Sequence, residues 1–197
     1  MLFLSILPLL AFGLVCFAHP LEKRQSTSTD SFKLYAYGTG ISGLPVFYRN
    51  GTAQVADVSK VDTTTMAAMT PINFTAATDN TWVAHPISSS SATADFTTLS
   101  TDTNMLCLDQ GDTADSNPVG FTGASAADQS TTTKLSNVWS TYGGYVLVTV
   151  SGANFYARQA DTDGMYSLLW SSSAEAMTDT IPLVLRTTEP ATVSVLT

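Results

Sequence analysis

The segment Leu44-Pro-Val-Phe-Tyr-Arg-Asn-Gly-Thr-Ala-Gln-Val-Ala56 decides the fold class. Two runs rich in β-branched and aromatic residues, 44–49 and 52–56, flank Asn50-Gly51. That dipeptide best accommodates the two positive φ angles of a type I′ turn, whose twist matches that of the strands it joins. An antiparallel hairpin is predicted.

The rest of the chain carries the same signature. Beyond residue 24 there are only two glutamates and three lysines, and few leucines recur at helical spacing. Strands are expected at 32–37, 72–74, 82–84, 96–99, 105–108, 119–121, 145–150, 153–158, 165–170, 181–186 and 192–196, separated by Ser, Thr, Asp and Gly. Residues 57–71 read as a loop with room for one helical turn at Met66-Ala-Ala-Met69. Ser151-Gly152 and Asp161-Thr-Asp-Gly164 read as turns of an antiparallel meander. Pro182 belongs at a strand start or edge, where its missing N–H costs least. The expected fold is all-β: a single-domain antiparallel β-sandwich, with a β-trefoil or another closed β-barrel as the alternative. A trefoil would show a threefold repeat. Only a faint echo links Leu44-Pro-Val-Phe-Tyr-Arg49 with Ile181-Pro-Leu-Val-Leu-Arg186.

The N-terminus reads as an address. Met1 to Phe17 is apolar except for Ser5, Pro8 and Gly13, and Cys16-Phe17-Ala18 offers small residues at the −3 and −1 positions of a signal-peptidase site. Cleavage is expected after Ala18. Leu21-Glu-Lys-Arg24 then ends in the dibasic pair Lys23-Arg24, the substrate of a Kex-type endoprotease. The expected organisation is a signal peptide over 1–18, a pro-segment over 19–24, a disordered leader over 25–31 and one β domain over 32–197. Elsewhere no run approaches the roughly 18 apolar residues of a bilayer span, so membrane insertion is not expected after processing.

Processing leaves 15 acidic against 6 basic residues, a balance of −9. The Lys and Arg are scattered singly, whereas nucleic acid requires them clustered, so it is not an expected partner. Cys16 leaves with the signal, and Cys107 becomes the single thiol. It reads as a small buried hydrophobe, with an intermolecular disulfide as the alternative, and a monomer is expected. Asn50-Gly-Thr52 and Asn73-Phe-Thr75 are N-glycosylation sequons.

Chemistry-bearing residues are sparse. One histidine, His85, outlasts processing, and no Gly-x-Ser-x-Gly elbow accompanies it. The remaining glutamates, Glu175 and Glu189, both sit beside loop sequence, and no aspartate pair suggests a glycosidase. Asp109, Asp112, Asp115 and Asn117, and separately Asp161 and Asp163, could offer oxygen ligands to calcium, but their spacing is not that of an EF-hand and such residues also build turns. No cofactor, metal or catalytic residue is assigned. Trp139-Ser-Thr-Tyr-Gly-Gly-Tyr145 is the best carbohydrate candidate, because its glycines suggest an exposed turn that leaves Trp139, Tyr142 and Tyr145 near the surface. Trp170 reads as core.

Phe32-Lys-Leu-Tyr-Ala-Tyr-Gly38, Gly43-Leu-Pro-Val-Phe-Tyr48 with Asn50-Gly51, and Thr162-Asp-Gly-Met-Tyr-Ser-Leu-Leu-Trp170 resemble segments of a group of small secreted ascomycete proteins of unknown function. The resemblance implies an extracellular or cell-wall location and a single β domain, and carries over no catalytic residue. The expectation is a non-enzymatic secreted or wall-associated fungal protein with wall polysaccharide as its candidate ligand. An effector acting on a host or competitor protein is the alternative, followed by a glycoside hydrolase.

Overall fold

The computed structural model describes residues 30–87, 104–110, 117–122, 133–173 and 177–191. The expected processing sites, the strands at 96–99 and 192–196, and Asp112, Asp115 and Glu175 lie outside them.

Three strands open the described chain: β1 Tyr35–Gly38, β2 Ile41–Arg49 and β3 Thr52–Ala56. The hairpin read from the sequence is present, with φ of 50° at Asn50 and 82° at Gly51, both positive as a type I′ turn requires. A short helix, α1 Thr63–Ala67, starts at Asp62, whose carboxylate accepts from the Thr64 and Thr65 amides. Outer strands β4 Thr70–Ala76, β5 Trp82–Pro86, β6 Leu106–Gln110, β7 Val119–Phe121, β8 Thr133–Leu135, β9 Trp139–Tyr142 and β10 Tyr145–Val148 follow. β11 Asn154–Gln159, β12 Met165–Ser171 and β13 Ile181–Arg186 complete the order.

The protein is all-β, and its centre is a closed six-strand antiparallel barrel. Round the barrel the strands run β1, β2, β3, β12, β11, β13 and back to β1. Three staves come from each end of the described chain, and β4 to β10 pack outside. The expected sandwich therefore gives way to the closed-barrel alternative. The reason is edge pairing: β1 and β3 would be open edges of a three-stranded sheet, and β13 and β12 take them up. The echo between 44–49 and 181–186 is not a trefoil repeat, since β2 and β13 are the two neighbours of β1.

The meander expected from 145 to 170 also changes. β10 and β11 are consecutive but not paired: β10 folds back on β9, and β11 lies between β12 and β13. The Gly143-Gly144 turn has already given β10 its partner.

Alternation sets the core. Ala36, Val46, Val55, Ala157, Leu168 and Leu185, from all six staves, belong to one buried cluster that continues into the outer strands through Phe74, Trp82, Leu106 and Trp139. Along this continuation Trp82 stacks on Trp139 at 5.4 Å, and Trp139 on Phe155 of β11 at 6.1 Å. The opposite face of β2, β3 and β12 supplies Phe47, Ala56 and Met165 to a second cluster with Val61 and Met69.

Closure brings β1 and β13 unusually close at Gly38. A Cβ there would lie 2.6 Å from the Pro182 carbonyl oxygen, a backbone atom with little freedom to yield. Gly38→Ala should therefore lower unfolding free energy by about 1–3 kcal/mol. Urea denaturation checks this, and an unchanged midpoint would argue against such close closure.

Candidate functional site

The β9–β10 hairpin turns on Gly143-Gly144, with φ of 57° and 82°. Strand alternation then sorts its side chains. Trp139 and Val146 turn inward, at 1% and 6% exposure, and the Trp139 Nε1–H donates to the Leu106 carbonyl at 2.7 Å. Tyr142 and Tyr145 pair directly across the turn and so share the other face, at 79% and 47% exposure. Of the three aromatics singled out in the sequence, two are on the surface and Trp139 is a core ring. A four-residue strand, not an extended loop, begins at Trp139, and its parity buries that side chain.

The hairpin is fastened to the barrel at one end. Tyr145 pairs with Arg186, and the Thr187 amide donates to the Gly144 carbonyl at 2.9 Å. Past that point β10 leaves β13, whose neighbouring residues pair with β11 instead. The fork between them is a cleft of about 310 Å³ whose walls include Leu147, Val148, Asn154, Phe155 and Val184. Leu147 and Val184 are about half exposed, extending the tyrosine surface to the rim of the cleft.

Arg186 lies where the fork begins. Its Cζ is 4.7 Å from the Tyr145 ring centroid and 5.7 Å from that of Tyr37 on β1. This double cation–π contact ties the hairpin to the barrel. The ion pairs among the described residues are Lys60–Asp57 and Lys134–Asp109, so no described carboxylate neutralises Arg186, and its Nε is buried without a hydrogen-bond partner. Nearby, burial and then the charge and hydrogen bond of Glu189 hold the Tyr35 phenol above its ordinary pKa. Tyr35 pairs with Arg186 across β1 and β13.

The other residues noted in the sequence are dispersed. His85 is in β5, its Nε2 2.9 Å from the Thr75 hydroxyl. Asn50 is exposed at its hairpin tip, whereas Asn73 is partly buried in β4 opposite His85. Asp161 and Asp163 lie in the turn before β12. Among the described residues no three His, Cys, Asp or Glu side chains gather into a metal-holding group. Trp170 is core and donates through Nε1 to the Asp109 carbonyl at 3.0 Å.

Leu147, Val184 and Arg186 escaped the sequence reading. The glycine pair marked the hairpin, but nothing local in Ile181–Arg186 marks it as the other wall of a cleft.

Comparison with protein-family models, with curated proteins and with solved structures finds no match.

Cys107 is fully buried, and its thiol donates to Asp109 Oδ1 at 3.1 Å. Burial, reinforced by the Asp109 charge, pushes its pKa far above that of a free thiol, which withholds the reactive thiolate. In folded protein beginning at Gln25, at neutral pH, Ellman's reagent should therefore leave Cys107 unmodified, and one equivalent should react after denaturation. Rapid native labelling would contradict this burial.

Proposed function

We propose that this chain is a secreted, non-enzymatic fungal protein, extracellular or wall-associated, that binds carbohydrate through the outer face of its β9–β10 hairpin. The observation that carries the reading is the exposed cross-strand pair Tyr142–Tyr145, set at the rim of an adjoining cleft. Tyrosine suits a sugar because its ring offers an apolar platform to axial C–H groups, and its hydroxyl lies at the edge where sugar hydroxyls emerge. Two strands and a glycine turn hold the backbone beneath the pair, so little backbone entropy is lost on binding. Secretion and processing at Ala18 and at Lys23-Arg24 rest on the sequence, as does the assignment to fungi.

The reading is tested by incubating protein beginning at Gln25 with insoluble chitin, β-1,3-glucan and cellulose, and measuring the fraction pelleted. Retention on at least one polymer is expected. Tyr142→Ala should weaken it roughly five-fold, corresponding to about 1 kcal/mol for a lost aromatic contact. Because Tyr142 is 79% exposed, this variant should keep the wild-type melting temperature. Absence of retention, together with capture of a specific protein by the same surface, would favour the effector reading instead.

A further inference from the structure

We infer that the Tyr142–Tyr145 surface selects acidic over neutral carbohydrate, with Arg186 receiving the carboxylate of a uronic acid unit. The inference rests on the carbohydrate-binding reading and specifies its ligand class.

Three observations converge on it. First, a guanidinium carries five N–H donors, and among the described residues Arg186 makes no ion pair and its buried Nε–H has no acceptor. A cation taken partly out of water without an anion has lost hydration that an incoming carboxylate would replace. Secondly, Tyr145 on one side and Tyr37 on the other restrain the group, at 4.7 and 5.7 Å. A fixed planar fork matches the two oxygens of a carboxylate better than a mobile ammonium would. Thirdly, Tyr145 belongs both to the arginine clamp and to the exposed tyrosine pair. A sugar ring on the tyrosines would place a substituent beside the guanidinium.

Charge supports the same choice. The chain carries a formal net charge of −8, so its general field repels polyanions. At physiological salt that field decays over about 8 Å, while contact at Arg186 is screened much less. Attraction would thus be confined to this site. Glu189, three residues further along the chain, makes no ion pair with Arg186 among the described residues.

The test compares short oligomers of galacturonic acid with their methyl esters, with neutral gluco-oligosaccharides of equal length and with a sulfated oligosaccharide, by calorimetry on protein beginning at Gln25. The free uronic acid oligomer should bind about ten-fold or more tighter than its methyl ester, as expected for a hydrogen bond to a charged group. Arg186→Gln should abolish that preference, bringing acid and ester to equal affinity, whatever it costs in neutral binding through loss of the contact with Tyr145. Arg186→Lys, which keeps the charge but loses the fork, should recover only part of it. Tyr142→Ala should weaken acidic and neutral ligands alike. If the sulfated oligomer matches the uronate, the site reads charge alone and the assignment to a carboxylate is overturned. Equal affinity for the acid and its ester, or a preference that Arg186→Gln preserves, would also overturn this inference while leaving carbohydrate binding intact. Failure of every sugar to bind would remove both readings. Should Arg186→Gln melt early, the acid-to-ester ratio of the wild-type protein and of Arg186→Lys still decides the question.

Discussion

Everything in this molecule depends on the antiparallel pairing of β1 with β13. Residues about 150 positions apart are set side by side, Tyr35 against Arg186 and Gly38 against Leu183. No disulfide joins those strands, since the cysteine in the described structure is free and buried elsewhere. The seam is held by its ladder and by Leu34, Ala36, Leu183 and Leu185, which join the common core. Closure removes the two edges that an open sheet would leave for association with other chains. It also makes Tyr37 a neighbour of Arg186.

The outer strands then use the barrel as a foundation. Trp139 exemplifies the coupling: it stacks between Trp82 and Phe155 and spends its indole proton on Leu106, so one side chain links β5, β6, β9 and β11. Because β9 alternates, burying Trp139 and Thr141's cross-strand partner Val146 obliges Tyr142 and Tyr145 to face outward. The exposed surface is in this sense the reverse side of a core decision. The cleft has an equally simple origin, in one strand edge shared between two partners that then diverge.

How much of this was legible in the sequence follows from how local each determinant is. Asn50-Gly51 dictates its own backbone geometry, and the hairpin around it was readable without knowing anything else. Val119–Phe121 and Ile181–Arg186 were readable as strands because bulky apolar residues stand between turn-forming ones. Sandwich and barrel were not distinguishable by this means, since the same alternating strands serve either and only the distant pairing of β1 with β13 separates them. Thr133–Leu135 and Trp139–Tyr142 were missed because short polar strands resemble the loops around them. Half of the candidate site was visible, as aromatic residues beside glycines. The other half, Arg186 and Val184, gains its meaning only from the fork.

The seam also orders events during synthesis of the chain. A ribosome delivers β1, β2 and β3 early, but the other three staves, β11, β12 and β13, are the last strands of the described chain to emerge. Until then the first hairpin can form from local contacts alone, while β1 and β3 wait with unpaired amides and carbonyls. The barrel therefore cannot be assembled stave by stave in the order of translation, and its final step must close a loop of more than a hundred residues. Through that interval the nascent chain would present sticky edges, which makes the timing of its release, and the company it keeps meanwhile, part of the physics of this fold.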